Sequence, residues 1–410
     1  MRVLLISHWF PPIISGSSFY TQSLAQALQA RGHEVVVVTL DWGEKYAPDS
    51  DLGFPVYCLP VVPIPKLPLF YHLKLMGFAL TPQNHKRLSE IVKRHQIQVM
   101  HCTNHIFDTN FLATNVAQSS GIPMIGSITT PVQHQNPWMQ RLYHLGDFST
   151  IGWFGVRRWD GIVSLDQTVH EYVSRVYGRE AKKKSVVIPF GVRLEQMASY
   201  ENPLPKLSDR PQILMVGHIH PFRNPVQLVR AMPFILEKIP TARLILAGRT
   251  DLNEPLKTAK ALGLNEEQVQ FLGETQHAKT IELMKTSHVF ASWVTGPYPS
   301  LGTAPMEAML CGTPVVSDLP ENLFGEGKLR DGENIVLVNS KDPKSIAHGI
   351  MNLLENGERR RKMGAAGRRF VLDHLGWDQI AAQMEAFYGR FVDHRRGEER
   401  SDETLLKCNS

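Results

Sequence analysis

Cysteine is scarce in this chain. Cys58, Cys102, Cys311 and Cys408 are the only four in 410 residues, and no two of them stand in CxxC spacing. That excludes a disulfide or zinc-ribbon framework and reads as reduced thiols of a cytosolic protein. The histidines show no HExxH spacing, so no zinc site is suggested. No stretch approaches the roughly 20 apolar residues of a membrane-spanning helix. The opening MRVLLISHWFPP has one arginine and too short an apolar run for a signal peptide, so a cytoplasmic location is expected. Charge of one sign is also in short supply: Lys+Arg 44 against Asp+Glu 39 leave +5, with no basic run interleaved with aromatics. Nucleic acid is therefore not an expected partner. The mild excess suits anionic small substrates or an anionic membrane surface equally well.

What is present is ordinary in amount and informative in order. Hydrophobic residues make up 43% and charged residues 20%, as in soluble globular proteins. The length exceeds what one core supports, so two domains are expected. Residues 2–7 are an apolar run, followed by Pro11-Pro12 and Ser15-Gly16-Ser17-Ser18. Residues 19–31 then carry a helical pattern with Leu24, Ala27 and Leu28 on one face, Gly32 caps it, and 35–39 is β-branched. This is a βαβ unit with a parallel sheet. Further strands are expected at 99–101, 124–128, 161–164 and 186–188. The stretch 201–212, ENPLPKLSDRPQ, is polar and proline-rich and reads as a linker. Alternation restarts beyond it, with strands at 213–216, 243–247, 269–272, 289–292 and 315–317 and a helix at 225–236. An amphipathic segment, 377–391, is expected to pack back across the domains. From His394 the tail is charged, lacks a core face and reads as disordered. The expected layout is an N-terminal domain over 1–200, a linker over 201–212, a C-terminal domain over 213–375, a returning helix over 376–393 and a tail over 394–410. Two doubly wound α/β domains facing one cleft would bind ligands at the carboxyl ends of their strands.

The segment 301–316, LGTAPMEAMLCGTPVV, is the most informative. Gly302 opens a short helix, Glu307 sits one and a half turns in, and Gly312-Thr313-Pro314 stops it before a buried strand. A helix beginning on glycine offers free N–H groups to an anion, and a carboxylate further along accepts hydrogen bonds from a diol. Phosphate at the helix mouth and a diol beside the acid describe a nucleotide sugar.

Four segments in this order resemble the GT-B glycosyltransferases, and within them the large retaining glycosyltransferase family 4. They are WFPPIISGSSFYTQSLAQALQARGHEVVVVT at the start, VVIPFGVRLEQM at 186–197, ILMVGHIHPFRN at 213–224, and the segment just described. The resemblance covers the chain to about His394. It implies two Rossmann-like domains facing a cleft and sugar transfer from a UDP- or GDP-linked donor to a polysaccharide, glycolipid or small glycoside. It also implies retention at the anomeric carbon, no cofactor beyond the nucleotide-sugar co-substrate, and no obligatory metal.

By the same resemblance Glu307 binds the ribose hydroxyls, with a helix-surface glutamate as the bland alternative. The N–H groups of Gly302 and Thr303 meet the diphosphate. Arg223 replaces the family lysine at that diphosphate and keeps its charge. His218 stands where the family has arginine. The position of the first glutamate of the family's pair is Pro299, which offers a sugar hydroxyl nothing. Ser300 and Thr295 are nearby hydroxyls that could substitute. Ser15 and Gly16, at the mouth of the first helix, would approach the diphosphate from the other domain. Thr129 occupies the position of the family's important acceptor-domain histidine, and His134 lies five residues on, as a cleft group or a surface-loop histidine. His101 and His105 follow another strand end and resemble the family's HxH-like loop, which implies that one of them touches the acceptor, packing being the expected role of His101. Asp49-Ser50-Asp51 spells DxD without phosphate-binding context and reads as a turn. The apolar stretch 62–82, with two lysines, reads either as a surface touching a lipid acceptor or the inner membrane face, or as a packed acceptor-domain segment.

Two other functions are compatible with the pattern. Pro299, His218 and Thr129 together suit a catalytically weak or inactive relative that binds nucleotide sugar or a partner enzyme. A sugar-nucleotide epimerase on this fold would need paired acid and base residues, which are not identifiable.

Overall fold

The computed structural model describes residues 1–13, 15–49, 51–64, 77–134, 136–192, 207–217, 223–249 and 253–408, with side chains to residue 393. The chain forms two compact units, Met1–Arg193 with Trp377–Ser410, and Leu194–Gly376.

The first unit runs β1 (Arg2–Ile6), α1 (Gly16–Ala30), β2 (Glu34–Asp41), β3 (Val56–Pro60), β4 (Val62–Pro63), β5 (Gly77–Phe78), α2 (Pro82–Arg94), β6 (Val99–Cys102), α3 (Thr109–Ser119), β7 (Met124–Ile128), α4 (Pro137–Asp147), β8 (Gly161–Ser164), α5 (Gln167–Tyr177), α6 (Arg179–Lys183) and β9 (Ser185–Val187). Its main sheet is parallel, in the order β3-β2-β1-β6-β7-β8-β9. Val3 to Ile6 and Val35 to Val38 are all buried because both faces of the sheet are covered. This is why the strands read as continuous apolar runs. Helix α1 opens on a reciprocal cap: Ser18 N–H donates to Ser15 Oγ and Ser15 N–H to Ser18 Oγ, both at 3.1 Å. It ends at Gly32, in the left-handed region at φ +83°. Of the apolar stretch 62–82, residues 65–76 lie outside the described residues. Its two ends pair as an antiparallel ribbon, Val62 opposite Phe78.

The second unit runs β10 (Gln212–Val216), α7 (Pro225–Lys238), β11 (Arg243–Ala247), α8 (Glu254–Ala261), β12 (Val269–Gly273), α9 (His277–Thr286), β13 (Val289–Ala291), α10 (Thr303–Leu310), β14 (Val315–Ser317), β15 (Val336–Leu337), α11 (Pro343–Glu355) and α12 (Gly357–His374). The parallel order is β12-β11-β10-β13-β14-β15. The order in which strands are added reverses between β10 and β13, the switch point of a Rossmann-type sheet. Helix α7 tolerates Pro233 in its interior. A mid-helix proline costs about 3 kcal/mol, but Leu228, Met232 and Ile235 are fully buried against Ile213 and Leu244. At about 1.5–3 kcal/mol each, that burial outweighs the break.

Residues 207–212 are not a free linker. Ser208 N–H donates to Thr286 O at 3.1 Å and Arg210 Nε to Thr241 O at 3.2 Å, so this stretch is tied to the second unit. Residues 201–206 lie outside the described residues. After Gly376 the chain returns to the first unit as α13 (Trp377–Cys408). Glu385 pairs with Arg31 at 2.6 Å, Tyr388 OH meets His101 Nδ1 at 2.5 Å, and the Trp377 indole donates to the Val192 carbonyl. A Cβ on Gly161 would stand 2.7 Å from the Phe387 ring, so glycine admits the helix here. The helix continues through Cys408, past the expected break at His394, since no proline interrupts it.

Two predictions follow from the packing. A Cβ on Gly364 would lie 2.0 Å from the Gly312 carbonyl oxygen, so Gly364→Ala should lower stability by about 1–3 kcal/mol in urea denaturation. Burial also drives the imidazoles of His8, His101 and His105 down to about 3 from 6.5. Between those values the unfolded chain binds protons that the folded chain refuses, so stability should fall as pH drops below 6.5. His8→Phe, which keeps the stack on Phe107, should flatten that slope by about 1.4 kcal/mol per pH unit.

Candidate functional site

Glycines end the three adjacent strands of the second unit. Gly217, Gly248 and Gly273 follow or close β10, β11 and β12 at φ +138°, +143° and +67°. Gly217 N–H donates to Ala247 O at 3.0 Å and Gly248 N–H to Gly273 O at 2.7 Å. A Cβ on Gly248 would fall 1.9 Å from the Gly217 oxygen. Only glycine allows this approach.

Arg223 stands at this edge, just ahead of α7. Its Nη1 donates to Ser292 Oγ at 3.1 Å, and Ser292 is buried immediately after β13. The Ser317 hydroxyl holds the Ser292 carbonyl at 2.6 Å. A Cβ on Gly217 would lie 3.7 Å from Arg223 Cζ, and one on Gly302 3.6 Å from Nη2. The guanidinium therefore lies between two bare backbone positions at the switch point. Among the described residues it has no carboxylate partner, and burial lowers its pKa from the usual arginine value. Gly302, at φ +70°, opens α10 without any side-chain cap. A positive side chain and the positive end of a helix thus meet beside two glycines, an arrangement suited to an anion.

Thr303 is exposed at the first position of α10, while Ser300, Pro299 and Thr295 are half-buried just before it. Glu307 is buried, the fifth residue of the helix. One turn further, the Cys311 thiol is pushed up to about 12, chiefly by burial; Lys285 opposes the shift, Glu307 adds to it and Arg368 opposes it. Glu307 thus sits in surroundings that contain two cations, which the local sequence did not signal. His218 lies outside the described residues.

The remaining expected residues belong to the first unit. Ser15 spends its hydroxyl on the α1 cap and contacts Ser17 Oγ at 3.3 Å; Asn104 Nδ2, beyond β6, donates to the same Ser17 at 3.1 Å. Gly16 is exposed, has no positive φ, and a Cβ there would meet nothing within 4 Å. Neither conformation nor internal packing asks for glycine at this position. His134 is held in the turn before α4: its Nδ1 accepts from Asn136 N–H at 3.0 Å and its ring meets Tyr143 edge-on at 5.4 Å. Thr129 is half-buried after β7. His101 has both nitrogens engaged, by Tyr388 and by Ser127 Oγ at 2.7 Å, which is a packing role. His105 is fully buried and neither nitrogen has a hydrogen-bond partner. Asp51 N–H turns back to Asp49 Oδ1 at 3.3 Å, as a turn requires; Ser50 lies outside the described residues.

Ser292 and the glycine edge were not anticipated as parts of the site. A lone serine after a strand carries no local signal. The recurrence of glycine directly after three apolar runs was visible in the sequence.

Two Rossmann-like units are the architecture of the GT-B fold. Residues 14–196 match the family described as Glycosyltransferase Family 4, and residues 197–370 match Glycosyl transferases group 1. The chain belongs to the family 4 type of GT-B glycosyltransferases. An uncharacterized glycosyltransferase of Methanocaldococcus jannaschii is 24% identical over 95% of this chain and 98% of its own. Phosphatidyl-myo-inositol mannosyltransferase of Mycobacterium tuberculosis is 25% identical over 95% and 96%. Among solved structures, Anabaena HepE in complex with UDP and glucose superposes with a TM-score of 0.67 at 16% identity, covering 94% of this chain and 98% of that one. Sucrose-phosphate synthase of Thermosynechococcus elongatus gives 0.68 at 21%, covering 96% and 100%.

The two helix-opening glycines should behave differently. Gly302→Ala strains a left-handed position, so it should cost about 1 kcal/mol of stability even though its Cβ would reach Arg223 only at ordinary contact distance. Gly16→Ala, at an open position without positive φ, should leave the melting temperature unchanged, as a thermal-shift measurement of both variants would read.

Proposed function

We propose that this glycosyltransferase takes its sugar from a UDP- or GDP-linked donor and passes it, with retention at the anomeric carbon, to a polysaccharide, glycolipid or small glycoside. The observation that carries this reading is the Arg223 guanidinium set between Gly217 and Gly302 at the mouth of α10. In this scheme the diphosphate takes the N–H groups of Gly302 and Thr303 and the charge of Arg223. Glu307 takes the ribose hydroxyls, and Ser300 stands beside the donor sugar. Ser15 and Gly16, with His218 and His134, serve the same reaction from their own segments. The acceptor hydroxyl attacks the anomeric carbon from the face the phosphate leaves, and the departing phosphate oxygen takes its proton. Charge grows on that oxygen, so a fixed cation there stabilises the transition state more than the bound donor. Arg223 supplies that cation in place of an obligatory metal. Two similar proteins support a nucleotide-sugar donor: HepE was crystallised with UDP and glucose, and the mycobacterial relative is a mannosyltransferase.

The proline at 299 and threonine at 129 favour a second reading, a weak or inactive binder of nucleotide sugar. A thermal-shift panel of UDP, GDP, ADP and their common sugars, followed by measured release of nucleoside diphosphate, separates the two. Binding without turnover of any donor in any acceptor mixture supports the second. Under the first, Arg223→Ala should cut kcat about a hundredfold or more while donor affinity changes by a few-fold. Glu307→Gln should weaken nucleotide binding about tenfold or more, the size of a lost hydrogen bond to a charged group. Equal losses in kcat and affinity for Arg223→Ala would remove its assigned role.

A further inference from the structure

Helix α4 is amphipathic in the reverse sense. Its single buried residue is Asp147, whereas Trp138, Leu142 and Leu145, at i, i+4 and i+7, are 67%, 42% and 63% exposed. A helix of a water-soluble domain ordinarily turns that stripe inward. Here the inward attachments are polar. The buried Asp147 carboxylate accepts from the hydroxyls of Tyr172 and, at 2.7 Å, Tyr177; Gln140 Nε2 donates to the Val132 carbonyl at 3.0 Å; and Asn136 Oδ1 caps Trp138 N–H at 2.9 Å. A π-helical turn, Phe148–Gly152, continues the outward apolar display to Phe148, Trp153 and Phe154, which are 37%, 53% and 53% exposed. No comparable run of exposed large apolar side chains occurs elsewhere among the described residues.

Within residues 137–158 the exposed charges have one sign, although Glu171 on the neighbouring α5 is exposed as well. Arg141 and Arg157 are exposed, and the guanidinium of Arg157 lies 4.1 Å over the Trp153 ring. The one acid between residues 137 and 158 is Asp147, which is turned inward. Exposed indole rings, one of them under an arginine, along an apolar stripe with no exposed carboxylate within residues 137–158 match the layered chemistry of a lipid interface: acyl chains take the stripe, and anionic headgroups take the guanidinium groups. We propose that residues 137–158 form a docking face for an anionic lipid surface. This proposal does not depend on the nucleotide-sugar reading.

Vesicle flotation of the full chain tests this. The protein should float with vesicles of phosphatidylcholine and phosphatidylglycerol, float weakly with phosphatidylcholine alone, and be released as salt is raised. The triple variant Trp138→Ser, Leu145→Ser, Trp153→Ser should partition about tenfold or more weakly, as expected for lost apolar insertion, with an unchanged melting temperature. Arg141→Glu with Arg157→Glu should abolish the preference for anionic lipid while the apolar residues remain. Failure of the folded wild type to float, or equal flotation of the triple variant, overturns the proposal. So does a concentration-dependent dimer, seen by sedimentation velocity and lost in the triple variant without any vesicle binding; that result assigns the face to a second copy of the chain.

Discussion

The second unit is organised around a repulsion. Arg223 and the N-terminal end of α10 carry charge of the same sign, and the glycines at 217 and 302 remove the atoms that would keep them apart. A whole charge and a half charge roughly 4 Å apart, at an effective dielectric of about 20, oppose each other by about 2 kcal/mol. Burial raises that cost by removing water from the guanidinium. The sheet absorbs it because Ser292, tied to Ser317, fixes one nitrogen and the glycine-lined strand ends close up behind. An anion placed at this edge would cancel the opposition, which is the physical basis of the proposed diphosphate position.

Much of this fold could be read from the chain because parallel strands covered on both faces are written as unbroken apolar runs. Residues 124–128, 161–164, 243–247 and 315–317 form strands within the expected limits. The strands that were overlooked differ for physical reasons. Val56–Pro60 lies at a sheet edge, carries an exposed Cys58 and is bounded by prolines, so it lacks a run. Val336–Leu337 is two residues long and shows no period. The stretch 201–212 looked like a linker on composition alone, but the Arg210 side chain and the Ser208 backbone N–H attach by hydrogen bonds that composition does not reveal.

The site divides along the same line. Gly302 and Arg223 were legible because a helix-opening glycine and a cation before a helix are local features. Their closeness to each other was not, since it depends on strands meeting across the sheet. Ser292 and the Gly217–Gly248 contact belong to that hidden class. Local hydrogen bonds also claimed residues that looked free in the sequence: Ser15 is engaged in the cap of α1, a role its spacing to Ser18 could have signalled, and His134 is engaged in the turn that starts α4.

Helix α13 belongs to the first unit although the whole second unit is inserted between them in the chain. The Tyr388 hydroxyl is one of two partners of the sealed His101 ring, and Phe387 fills the groove over Gly161. During synthesis the opening half of the polypeptide therefore waits, with an uncovered apolar seam and a half-satisfied imidazole, until nearly four hundred residues have emerged from the ribosome. The inserted half has every strand of its own sheet before that moment and is free to mature ahead of it. In this chain the order of birth and the order of completion run in opposite directions.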